Sequence, residues 1–159
     1  MLESDYQYRG QRVATMLPEK ILALAENVSK IMKIDKSIIE RMDFFIENLW
    51  NEYGINLEVV DDDNWLHGIA DAWCDPSQLT ITIPEKLYKK IVKRKHAPSM
   101  FILFHEMGHL LLGHKAVLHH DGSTELQYFE NSEWQADYFA EAIMMNIVEK
   151  KKGKQLSLF

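Results

Sequence analysis

Residues 105–109 read His-Glu-Met-Gly-His. On a helix, side chains four apart share a face, so His105 and His109 can aim ring nitrogens at one ion. Imidazole suits zinc, which favours four tetrahedral N, O or S ligands. Glu106 is offset from that face by about a hundred degrees and can reach a water on such an ion without ligating it. The string therefore divides into two ligands and one general base. H-E-x-x-H also arises by chance on ordinary surface helices. Here Phe101, Ile102, Leu103 and Phe104 precede it and Leu110, Leu111 and Leu112 follow. A helix apolar nearly all round is a buried one, and ionisable groups inside it need partners. Gly108 adds to this reading. Mid-helix glycine costs about 1 kcal/mol relative to alanine, so a close neighbour is expected against it.

A catalytic zinc needs a third protein ligand and an open position. Glu133, Ala136, Asp137 and Ala140 recur at helical spacing, which puts two carboxylates between two alanines on one face. The alanines allow close packing against the His105 helix. Glu133 then completes the metal shell, and Asp137, one turn on, hydrogen-bonds the outer nitrogen of a ligand His and fixes its tautomer. The alternative is a solvated acidic pair on an amphipathic helix. A zinc ion in such a site would acidify its water and polarise a scissile carbonyl, with Glu106 passing the water proton to the leaving amine. The oxyanion needs a further donor, and His67, His119, His120, Tyr128 and Tyr138 are all candidates. His114, just past the motif, reads as a solvated residue.

The elements that must position these groups are legible in outline. Pro18 opens a helix whose apolar spacing includes Ile21, Leu24, Ala25, Val28, Ile31 and Met32. Asp35 is a cap for a second helix, with Ile38, Ile39, Met42, Phe45, Ile46 and Leu49 inward and Gly54 at its end. Three short strands are expected at residues 56–60, 68–74 and 78–83, the last two joined as a hairpin through Asp75, Pro76 and Ser77. In the third, Leu79, Ile81 and Ile83 face one way, Thr80 and Thr82 the other. Pro84 opens a basic helix over 85–95, and Pro98 and Ser99 open the motif helix, which runs to about residue 113. A final helix is expected over 131–150. The fold class is α+β: one domain of helices packed on a small three-stranded sheet, with a zincin-like active-site helix. Residues 1–17 are expected to be a loose N-terminus, 18–150 the domain and 151–159 a flexible tail.

Composition sets limits. The chain has 159 residues, 47% of them apolar, enough for one core without disulfides. Its single cysteine, Cys74, permits no internal disulfide and reads as a buried thiol in a reducing cytosol. The start lacks the apolar stretch of a signal peptide, and the apolar runs are too short to span a bilayer. A cytoplasmic protein without a membrane partner is expected. The net charge of −6 argues against direct nucleic-acid binding. The lysines of the basic helix, Lys86, Lys89, Lys90, Lys93 and Lys95 with Arg94, read as a solvated face.

His105-Glu-Met-Gly-His109, followed by Glu133-x-x-Ala-Asp-x-Phe-Ala140, resembles the ImmA/IrrE family of bacterial and phage metallopeptidases, which are gluzincins. Asp71, Gly68 and the Leu79-Thr-Ile-Thr-Ile83 stretch are similar to the small sheet of these proteins. Many members end the last helix in Leu-Leu-Met-Pro, where this chain has Ile143-Met-Met-Asn146. The resemblance implies a Zn2+ cofactor held by His105, His109 and Glu133, Glu106 as catalytic base, and proteolysis of a specific protein partner. In this family that partner is often a DNA-binding repressor or other regulator in a prophage or toxin–antitoxin setting. The rival expectations are a non-proteolytic, metal-containing interaction module and a toxin acting by binding.

The last five residues, Gln155, Leu156, Ser157, Leu158 and Phe159, follow a basic linker and suit docking into an apolar groove. They resemble the short peptide by which bacterial replication and repair proteins bind the DNA polymerase sliding clamp, which makes the clamp an expected partner. The alternative is a terminus that folds back on its own domain.

Overall fold

Hydrophobic spacing and turn chemistry set most of the element boundaries in the computed structural model, which describes residues 12–65, 70–114 and 130–148. Helix α1 (Pro18–Ile31) begins with proline in its first turn and buries Ile21, Ala25 and Val28. Asp35 accepts a hydrogen bond from the Ser37 N–H, and the chain first forms a 3-10 turn, Lys36–Arg41. Helix α2 (Met42–Tyr53) follows, buries Met42, Phe45, Ile46 and Leu49, and ends at Gly54 with φ 69°. The single helix expected after Asp35 is thus a 3-10 turn running into an α-helix.

The sheet has three strands, β1 (Asn56–Val60), β2 (Trp73–Asp75) and β3 (Thr80–Pro84), in the order β1-β3-β2. β1 runs parallel to β3, with Leu57 opposite Ile81. β2 is antiparallel to β3, with Cys74 opposite Ile81, so the expected hairpin forms. Two details differ from the spacing. Leu79 lies outside the strand, in the left-handed region at φ 48° after the 3-10 turn Pro76–Gln78. It is exposed, whereas Ile81 and Ile83 are fully buried. Thr82 is buried as well, because the central strand of a packed sheet is covered on both faces. Residues 66–69, including His67 and Gly68, lie outside the described residues.

Helix α3 (Glu85–Val92) buries Leu87 and Ile91 and turns Lys86 and Lys89 to solvent; it ends before the expected residue 95, and Lys93, Arg94 and Lys95 are exposed just beyond it. Helix α4 (Ala97–Leu111) carries the histidine motif and buries Met100, Leu103, Phe104, Met107 and Leu110. Helix α5 (Ser132–Ile147) is capped by the Asn131 side chain, which accepts from the Trp134 N–H. The last helix stops at Ile147, where Val148 turns to an extended conformation, short of the expected residue 150. α5 packs chiefly on α4 and on α1, while β2 runs beside α4. Phe104 and Phe139 are wholly buried, and Phe104 meets Phe45 at a ring separation of 6.3 Å. The chain is thus mixed helix and sheet, as expected. No helix among the described residues is long and apolar enough to cross a membrane.

Residues 1–17 are expected to be loose, but the part described from Arg12 onward is fastened. The Val13 N–H donates to the Glu130 carbonyl at 2.8 Å, and the Arg12 guanidinium pairs with the Glu130 carboxylate at 2.8 Å. Val13 itself is buried. Residues 115–129, with His119, His120 and Tyr128, lie outside the described residues, as does the tail with Gln155, Leu156, Ser157, Leu158 and Phe159.

At Gly108, α4 and α5 pack closely. A Cβ there would sit 3.1 Å from Phe139 Cδ1, 3.2 Å from Ala136 Cα and 3.3 Å from the Ala136 carbonyl oxygen. Two of these neighbours are backbone and cannot rotate away. Gly108→Ala should therefore destabilise the protein by about 1–2 kcal/mol, overpacking outweighing the gain of about 1 kcal/mol in helix propensity. Urea denaturation measures it, and a variant more stable than wild type would contradict the close approach.

Candidate metal centre

The tight α4–α5 contact sets the distance between the paired histidines and the acidic face of α5. His105 and His109, one turn apart, both point at Glu133. His109 Nε2 lies 2.7 Å from Glu133 Oε2, and His105 Nε2 lies 3.3 Å from Glu133 Oε1. The two inner nitrogens are 3.2 Å apart. All three ligand atoms fall within 4.8 Å of one another. Two imidazole nitrogens and a carboxylate converging this closely make a donor set that a cation can satisfy, and the N, N, O chemistry suits zinc. His105, His109 and Glu133 could therefore hold a metal ion. Their side chains stay partly open, Glu133 at 27% and His105 and His109 at 13% each, so solvent reaches the point where they meet.

The outer nitrogens are also engaged. Asp137, one turn beyond Glu133, accepts from His105 Nδ1 at 2.7 Å, the partnership its spacing predicts. His109 Nδ1 meets His114 Nδ1 at 2.7 Å, and His114 Nε2 donates to Gln135 Oε1 at 2.7 Å. His114 is thus half-buried within the site rather than solvated. Nothing in the linear sequence marks it, because its partners come together only when the chain reverses at Gly113, φ 64°.

Glu106 is 8% exposed, on the α4 flank that faces β2. Burial raises its carboxyl pKa, against the pull of His105 and His109. The Cys74 thiol of β2 donates a hydrogen bond to this carboxylate. Burial, with the nearby Glu106 charge, pushes that thiol far above its ordinary range. The sequence marks Cys74 only as a bland buried thiol; the β2–β3 pairing is what delivers it to Glu106.

Burial works against the His105 cation, but hydrogen bonds to Asp137 and Glu133 raise its pKa to about 10. Burial likewise works against the Glu133 carboxylate, yet hydrogen bonds from His105 and His109 lower its pKa strongly. His114 moves the other way, down to about 4, because burial disfavours its cation. Of the candidate oxyanion donors, the described one is Tyr138, which stacks on Trp134 with ring centroids 5.4 Å apart.

Compared with protein-family models, with curated proteins and with solved structures, the chain matches none.

These contacts have a pH signature. Between pH 6.5 and about 10 His105 holds its extra proton in the folded state alone, so its stabilisation of metal-free protein is complete below the unfolded pKa of 6.5. It is lost as pH rises through the folded value of about 10. The urea midpoint of EDTA-treated protein should fall between pH 6.5 and 10, and fall less in Asp137→Asn, which lacks the acceptor charge. Equal slopes for the two proteins would contradict the assignment.

Proposed function

We propose that this chain is a zinc-dependent endopeptidase of the ImmA/IrrE, gluzincin type, acting on a specific protein partner. What carries the reading is the convergence of His105, His109 and Glu133 on one point, with buried Glu106 next to His105 on the same helix. The family resemblance in the two motifs supports it. His105 and His109 would supply imidazole nitrogens and Glu133 a carboxylate oxygen. Zinc bound there would supply Lewis acidity toward a water and a peptide carbonyl.

The chain's own groups do the proton work. Glu106 takes a proton from the attacking water and returns it to the departing amine nitrogen. Burial raises its pKa, and a carboxylate tuned upward accepts a proton near neutral pH more readily than an exposed one does. Asp137 holds the outer proton of His105, which keeps the inner nitrogen aimed at Glu133.

The partner is proposed to be a DNA-binding repressor or similar regulator, in a phage, prophage or toxin–antitoxin setting. The C-terminal Gln155-Leu-Ser-Leu-Phe159 peptide is proposed to dock the protein on the sliding clamp. The rival reading, a metal-containing module or toxin that acts by binding alone, draws on that same peptide.

Zinc-loaded wild type and Glu106→Gln, incubated with a proteome-derived peptide library, separate these readings. Wild type should generate new amino termini. Glu106→Gln should keep its zinc and cleave about 10²–10⁴-fold more slowly. Cleavage at the wild-type rate by this variant would remove Glu106 from the chemistry. A second comparison concerns the tail: deleting residues 155–159 should abolish clamp binding and leave peptide cleavage unchanged. Clamp binding that survives the deletion would refute the docking role.

A further inference from the structure

A histidine that ligates a metal needs its outer ring nitrogen protonated, so that the inner one presents a lone pair. Asp137 secures this for His105. For His109 the outer neighbour is another imidazole, and the 2.7 Å between the two Nδ1 atoms means that one proton is shared. Which ring supplies it is decided further along the chain of contacts. Gln135 Nε2 donates to the Ala14 carbonyl at 2.9 Å, so the amide oxygen is the atom that faces His114 Nε2. A carbonyl oxygen only accepts, so the His114 proton sits on Nε2. The Nδ1 of that neutral ring is then an acceptor, and the proton between the two histidines belongs to His109. Gln135 is 1% exposed, so its amide cannot flip without breaking both contacts.

We propose that His114 and Gln135 are positioning residues: through this relay they keep a proton on His109 Nδ1, which leaves Nε2, the atom 2.7 Å from Glu133, as the nitrogen that a metal ion would take. The relay is anchored by the strap around Ala14, which Arg12 and Val13 fasten to Glu130. The order of donors is Gln135 to Ala14, His114 to Gln135, His109 to His114. The consequence for metal affinity rests on the metal-site reading above; the direction of the relay does not.

The test uses the full chain, labelled with ¹⁵N, and long-range ¹H–¹⁵N correlation of the imidazoles at pH 7.5 in EDTA. His114 should appear as its Nε2–H tautomer with a bare Nδ1, and His109 should carry a proton on Nδ1. Zinc affinity is read in parallel by competition with a chelator. His114→Ala should weaken zinc binding by about 10–100-fold. His114→Asn, whose side-chain oxygen can replace the lost acceptor, should recover most of that loss, which a purely structural role for His114 does not predict. Gln135→Leu should shift the His114 tautomer without touching a ligand. A proton on His114 Nδ1 in wild type, or zinc affinity in His114→Ala equal to wild type, overturns the proposal. Wild type that shows the stated tautomers but takes up no zinc upholds the relay and overturns the metal-site reading instead. Should His114→Ala fail to fold, the wild-type tautomers and His114→Asn still decide.

Discussion

The spacing between α4 and α5 at Gly108 and Ala136 sets how far the paired histidines lie from Glu133 and Asp137. A side chain at position 108 would meet Ala136 backbone atoms at 3.2–3.3 Å, so the helices leave little room for one between them. Glu133 and Asp137 lie one turn apart on the same side of α5 as Ala136, His105 and His109 one turn apart on α4. At this separation one carboxylate touches both imidazoles while the next reaches the outer nitrogen of His105. Phe139 closes on Gly108 together with Ala136, and both Phe139 and Phe104 are wholly buried. Core packing and site geometry are here one feature.

Bringing several ionisable groups into a half-buried cluster costs free energy unless each finds a partner. In this chain each does. Asp137 answers His105, His114 and Gln135 answer His109, and Cys74 answers Glu106. The partners come from four separate stretches: β2, the turn after α4, α5, and the N-terminal strap that offers the Ala14 carbonyl. The small sheet matters to the site mainly through its edge, because β2 pairs with β3 in the register that sets Cys74 opposite Ile81 and so beside α4. Orientation of the two histidines is thereby distributed over the whole domain.

What the sequence discloses is whatever depends on short-range spacing. The i, i+4 pair of His105 and His109, the face shared by Glu133 and Asp137, and the close neighbour implied by Gly108 are all properties of single helices. Each is realised. The β1 span and the hairpin are legible too, from alternation and turn residues. What stays hidden depends on tertiary approach. His114 follows a glycine in a polar stretch and gains its role only when the turn brings it under His109. Gln135 reads as one more polar residue of an amphipathic helix, yet it is buried between a backbone carbonyl and an imidazole. The strap from Arg12 looks polar and unstructured because its anchor, Glu130, is distant in sequence. Leu79 continues an alternating pattern but is diverted by the 3-10 turn before it, which local apolar spacing cannot reveal.

On the proposed reading, two imidazoles and one carboxylate from α4 and α5 share a single ion. Zinc K-edge X-ray absorption on the zinc-loaded full chain tests this most directly. The account predicts one zinc per chain, two imidazole nitrogens at roughly 2.0–2.1 Å, the remaining ligands oxygen, and no sulfur at roughly 2.3 Å. A sulfur ligand, which would have to come from Cys74 or a methionine, or a spectrum without paired imidazole scattering, would contradict it.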